Sequence, residues 1–96
     1  MNNSDARSMK DLVSVLIKQL GLNEQIFEQK IKADWQEIVG DIACLKIQVL
    51  NLKDGVLYLN SSASVWTNEF KLRKSEIIRK INEKYSSEIV RNIIIN

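Results

Sequence analysis

The pair Asp54-Gly55, set between the runs 47–53 and 56–60, constrains the fold of this chain more than any other feature. Both runs are rich in β-branched, aromatic and leucine side chains. Asp-Gly supplies the two positive-φ positions that a two-residue hairpin loop needs to match strand twist. With these as the loop, Lys53 faces Val56, Leu52 faces Leu57 and Leu50 faces Leu59. Leu50, Leu52, Leu57 and Leu59 then share one face, the expected core side. In this register Ile47 and Val49 fall on the opposite face. Two resolutions stay open: a bulge near Val49, or a far face that is itself partly covered. Tyr58 points away from the leucines and is the aromatic expected to be most exposed.

Helical periodicity brackets the hairpin. Apolar residues at Met9, Leu12, Val13, Leu16, Ile17 and Leu20 repeat as one buried helical stripe, with Ser8 as its cap, Gly21 as its stop and residues 1–7 as a flexible N-terminus. Asn23 then caps a second helix carrying Phe27, Ile31, Trp35, Ile38 and Ile42 on one face. Gly40 is its expected stop, with a last turn over 41–45. After the hairpin, Ser61, Ser62 and Ser64 are candidate N-caps for a helix bearing Val65, Trp66 and Phe70. Arg73 and Lys74 interrupt that stripe, so two tightly joined helices are expected, over 64–73 and 75–85. The run 89–95 reads as a last strand, apolar on both faces and therefore buried between neighbours or covered on both sides. The order α-α-β-β-α-α-β predicts an α+β fold, a three-stranded sheet with helices mainly on one face.

Ninety-six residues, 45% hydrophobic and 27% charged, suffice for one core and a wet surface, hence a single domain over 8–96. Histidine is absent and cysteine occurs once, which removes Ser-His-Asp and Cys-His catalysis, zinc fingers and disulfide frameworks. No apolar stretch approaches the ~20 residues of a bilayer span, and the opening residues lack a signal-peptide pattern. A cytoplasmic protein is expected. The net charge of +2 is unevenly spread: five basic against seven acidic residues up to Leu45, nine against five from Lys46 onward. Gly21, Gly40 and Gly55 are accounted for by helix stops and the hairpin, which excludes glycine-rich phosphate loops.

The ordered set Trp35-Gln-Glu-Ile-Val-Gly40-Asp-Ile-Ala43, Leu52-Lys-Asp-Gly-Val-Leu57-Tyr-Leu59, Ser61-Ser62, Trp66-Thr-Asn-Glu69-Phe70 and Glu76-Ile-Ile-Arg-Lys-Ile-Asn82 resembles the DciA family, bacterial proteins associated with the replicative helicase DnaB. The resemblance runs from about Ser8 to the C-terminus. It implies a KH-like fold of the second type and a role in loading or operating the helicase on DNA. A KH domain grips the nucleic-acid backbone through a GXXG loop between two helices, because glycines let backbone N–H groups approach phosphates. Here that segment reads Arg73-Lys74-Ser75-Glu76, so the resemblance implies a pseudo-KH domain without the loop.

Lys71, Arg73, Lys74, Arg79, Lys80 and Lys84 form the candidate nucleic-acid surface, six positive charges against Glu69, Glu76 and Glu83. The same spacing also suits a solvated face with i, i+4 pairs between Glu69 and Arg73, Glu76 and Lys80, and Arg79 and Glu83. Trp35, Trp66, Phe70, Leu50, Leu52, Leu57 and Leu59 are the expected core. Cys44 reads as a small buried hydrophobe, and Asp34, Glu37 and Asp41 as a mixed surface face. No cofactor, metal, small-molecule substrate or membrane contact is expected. The leading expectation is a non-catalytic adaptor binding the replicative helicase by resemblance and also single-stranded DNA. Two alternatives stand beside it: a protein-interaction module using a far sheet face of Ile47, Val49 and Ile93 or an exposed strand edge, and an RNA-binding KH-like module.

Overall fold

The computed structural model describes residues 22–96. The expected first helix with its Ser8 cap and Gly21 stop, the 1–7 boundary and the Asn23 side chain lie outside them. The order is α1 (Leu22–Ala33), α2 (Trp35–Val39), α3 (Asp41–Lys46), β1 (Ile47–Lys53), β2 (Val56–Ser61), α4 (Ser64–Leu72), α5 (Lys74–Lys84) and β3 (Asn92–Ile95). The fold is α+β, with a three-stranded sheet in the order β1-β2-β3.

The helix expected to carry Phe27 to its stop at Gly40 is two helices, broken at Asp34, and the turn expected beyond it is a third; Gly40 ends the second as expected, with a φ of 95° in the left-handed region. Ile31, Trp35 and Ile38 keep the buried stripe. Beyond Gly40 the phase is lost: Ala43 turns inward and Ile42 is 64% exposed. The Trp35 indole N–H donates to the Ile47 carbonyl at 2.7 Å, fixing α2 to the start of β1.

The hairpin turns on Asp54 (φ 53°) and Gly55 (φ 80°), both left-handed as a type I′ loop requires. Lys53 pairs with Val56 and Leu52 with Leu57, as expected. The register then shifts between Val49 and Asn51, so Leu59 faces Val49 and Leu50 is left in a bulge. One extra residue inverts the alternation. Leu50 is therefore 46% exposed instead of core, while Ile47 is fully buried and Val49 packs against the core. The far-face patch of Ile47, Val49 and Ile93 does not exist, because Ile47 and Ile93 are both inside.

β3 runs parallel to β2, Val56 to Leu59 facing Asn92 to Ile95. It is an edge strand, and only Ile93 and Ile95 face the core; Ile94 is exposed on the other side. Ile89 and Val90 are buried ahead of the strand, held by Asn82. The Asn82 Oδ1 accepts from the Ile89 and Val90 amides at 3.1 and 3.0 Å, and its Nδ2 donates to the Val90 carbonyl at 2.9 Å. No serine caps α4. Ala63 holds that position, and the Ser61 hydroxyl serves the Ala63 backbone instead.

Buried side chains from all five described helices meet the sheet's inner face in one cluster, from Ile31 through Trp35, Phe70 and Ile81 to Ile93. Two carboxylates of α1 reach the hairpin. The Asp54 and Gly55 amides donate to Glu24 at 3.0 and 2.7 Å, and the Leu52 amide donates to Glu28 at 2.8 Å. These charge-assisted bonds satisfy loop and edge N–H groups and fix α1 along β1.

Candidate functional site

α4 and α5 meet at the single residue Arg73 (φ −98°, ψ 12°). The Arg73 amide donates to Glu69 O at 3.1 Å and the Ile77 amide to Arg73 O at 2.9 Å, so the chain bends there with no loop between the helices. Lys71 and Arg73 are exposed and Lys74 is half-buried. Three of the four positions 71–74 at the bend are therefore basic, with exposed Arg79 and Lys80 next along α5.

Of the three expected i, i+4 pairs one forms: Arg73 Nε lies 2.7 Å from Glu69 Oε1. Both partners are solvated, so the pair is worth about 0–1 kcal/mol. Glu76 with Lys80 and Arg79 with Glu83 do not close. Among the described residues Lys71, Lys74, Arg79 and Lys80 have no carboxylate partner. Lys84 stands apart. Ten residues from Lys74, about 15 Å along the helix, its ammonium lies 2.9 Å from Glu37 and 5.8 Å from the Tyr85 ring centre.

Beside the bend runs an apolar groove of about 570 Å³ between the α2–α3 break and α4, lined by Val39, Ile42, Val65 and Trp66 and bordered by Glu69 and Arg73. Ile42 and Val65 are 64% and 74% exposed. Trp66, expected in the core, is half-buried and packs against it from the groove side. Sequence periodicity missed this feature because it carried the stripe across Gly40; the glycine was the signal that the phase would change there.

The remaining polar candidates are engaged structurally. Asp34 accepts from the Tyr85 hydroxyl at 2.8 Å, Glu37 pairs with Lys84, and Asp41 accepts from Gln36 at 2.7 Å. Among the described residues no three carboxylate or thiol groups converge on a metal position. Half-buried Cys44 donates its thiol to the Asp41 carbonyl at 3.1 Å. Burial first, then the hydrogen bond to Asp34 and the charges of Asp34 and Glu37, push the Tyr85 hydroxyl well above the usual tyrosine range. Tyr58 lies on the outer sheet face, half-buried between its strand neighbours. No described helix is long and apolar enough to cross a membrane.

A family model described as "Dna[CI] antecedent, DciA" matches residues 8–95. A curated protein of Rhodococcus jostii (strain RHA1), named as a UPF0232 protein, is 21% identical over 92 residues, which cover 96% of this chain and 49% of that protein. The chain thus spans about half the length of this relative.

Proposed function

The chain belongs to the DciA family, and from that premise we propose that it is a non-catalytic adaptor of the replicative DNA helicase DnaB that also contacts single-stranded DNA in the cytoplasm. Family membership supports the helicase-loading role. The observation that carries the DNA contact is the bend at Arg73, where Lys71 and Lys74, with Arg79 and Lys80 beyond, present charge not neutralised by any described carboxylate. Such side chains bind phosphates by releasing counterions. Lys84 contributes less, because Glu37 already holds it.

We also read the domain as KH-like of the second type. Its β2-α4-α5-β3 unit has parallel strands, with β1 antiparallel on the other side of β2. With a one-residue bend in place of a GXXG loop, the Arg73 amide is held by Glu69 O and the Ile77 amide by Arg73 O, and in this reading phosphate contact falls chiefly to side chains.

The test is fluorescence anisotropy of labelled single-stranded DNA, duplex DNA and RNA at low and near-physiological salt, with co-elution of the protein and purified DnaB measured in parallel. Salt-sensitive binding that favours single-stranded DNA, lost on combining Lys71→Glu, Arg73→Glu and Lys74→Glu, is the expected result. Equal affinity in the triple variant would place the contact elsewhere, and a preference for RNA would favour the RNA-binding reading.

One observation favours a second reading, a protein-interaction module with no nucleic-acid role: Ile42 and Val65 stand exposed on an apolar groove. Co-elution with DnaB and no nucleic-acid binding at low salt would select it.

A further inference from the structure

Cross-strand partners share a face of a sheet, which sorts the strand residues without ambiguity. Val49, Leu59 and Ile95 face inward, as do Leu52, Leu57 and Ile93. The outer face is built from the pair Gln48 and Asn60, the row Asn51, Tyr58 and Ile94, and the row Lys53, Val56 and Asn92 at the hairpin end. Tyr58 occupies the central strand, so its ring stands in the middle of this surface. Ile94 is 41% exposed and the amides are solvated.

The chemistry of this face is selective. The three strands carry one charged side chain, Lys53, and no acid, in a chain with 12 acidic residues. Its polar groups are carboxamides, each both donor and acceptor, as base edges are. Its apolar groups are one aromatic ring with Ile94 beside it, the half-buried Val56 and Leu50 in the bulge. Three strands about 4.8 Å apart give a patch roughly 10 Å wide and 20 Å long. That is small for a stable protein interface, at about 800 Å² per partner, and matches two or three stacked nucleotides on a sheet.

We propose that the outer face of the sheet is a base-contacting platform for single-stranded DNA, with the Tyr58 ring as the stacking surface and Gln48, Asn51 and Asn60 meeting base edges. The proposal rests on the reading of the chain as a DNA-binding adaptor and adds a second surface to it. The bend at Arg73 supplies phosphate contacts; this face supplies contacts that carry no net charge. The two differ in salt dependence. Removing the ring lowers affinity by the same factor at every salt concentration, whereas removing the cations flattens the slope of affinity against salt.

The experiment is anisotropy of a labelled oligothymidylate across a salt series with wild type, Tyr58→Thr, Tyr58→Phe and the Lys71→Glu, Arg73→Glu, Lys74→Glu triple variant. Threonine keeps strand propensity while deleting the ring. Expected are a loss of about 5- to 100-fold for Tyr58→Thr with unchanged salt slope, near wild-type affinity for Tyr58→Phe, and a reduced slope for the triple variant. An oligonucleotide carrying 5-iododeoxyuridine, irradiated on wild-type protein and mapped by peptide mass spectrometry, asks the question without a mutation; the expected cross-link is Tyr58. Wild-type binding that falls only in the triple variant, with cross-links confined to α4 and α5, overturns the platform and leaves the adaptor reading standing. Absence of wild-type binding at low salt overturns both. Loss of DnaB co-elution in Tyr58→Thr with DNA binding intact, or a Tyr58-dependent preference for RNA, overturns the assignment to single-stranded DNA.

Discussion

The Tyr85 hydroxyl donates to Asp34 Oδ2 at 2.8 Å, joining the end of α5 to the break between α1 and α2 across 51 residues of chain. Phe27 packs on the same ring with centroids 5.6 Å apart, and Lys84 bridges to Glu37 alongside. Three elements are thereby closed around one neutral phenol.

Burial first, then the hydrogen bond to Asp34 and the third negative charge that ionisation would set beside Asp34 and Glu37, raise the pKa of that phenol. A group whose folded pKa lies above its unfolded value stabilises fully below the unfolded value, about 10 for tyrosine, and loses that contribution as pH rises through the folded value. Tyr85→Phe is therefore expected to be less stable than wild type at about pH 8, by roughly 1 kcal/mol. The difference should shrink above about pH 10. Urea unfolding at a series of pH values measures it, and a constant difference into strong alkali would contradict the assignment.

Asn82 is the only described side chain that bonds both Ile89 and Val90. Its truncation to alanine leaves the Val90 amide and carbonyl without partners, while the Ile89 amide keeps the Ser87 carbonyl at 2.9 Å, and should cost about 1–3 kcal/mol. Hydrogen exchange should accelerate first at the Val90 amide, which has Asn82 as its acceptor. Asn82→Asp keeps the two accepted bonds and loses the donated one, so a smaller loss is expected.

The bulge makes neighbouring leucines unequal. Leu59 is fully buried opposite Val49, and Leu59→Ala should cost about 2–5 kcal/mol. Leu50→Ala should cost less than about 1 kcal/mol, because its side chain is already half in solvent. Chemical denaturation of the two variants checks the register: comparable losses would mean that Leu50 is core and the bulge absent.

The hairpin was legible because a positive-φ pair is a local demand that Asp-Gly meets by itself, and the α4–α5 division because Arg73 and Lys74 interrupt an apolar stripe. The bulge was legible only as a choice: pattern alone placed Ile47 and Val49 opposite the leucines, and burial of Ile47 decides it. What escaped was contact across the chain. Nothing near Glu24 or Glu28 announces that these carboxylates serve hairpin amides 24 to 31 residues on. Likewise the candidate cations were readable as a cluster, but that Glu37 would claim Lys84 while Glu76 and Glu83 claim nothing depends on how α2 meets α5.

The groove and the bend at Arg73 are adjacent, so their roles need variants that touch one at a time. Ile42 and Val65 lie in the first turns of α3 and α4, where an acidic side chain is tolerated and neither residue supports the core. Ile42→Asp and Val65→Asp should each shift stability by no more than about 0.5 kcal/mol. A carboxylate placed there opposes docking of an apolar partner, since it must be desolvated without a counter-charge. If the groove receives the helicase, the double variant loses DnaB co-elution and keeps the wild-type slope of DNA affinity against salt, while the Lys71→Glu, Arg73→Glu, Lys74→Glu variant does the reverse. Retention of DnaB by the groove variant would remove the groove from the helicase interface. Loss of both activities in either variant would mean that the two contacts form one continuous surface around Arg73.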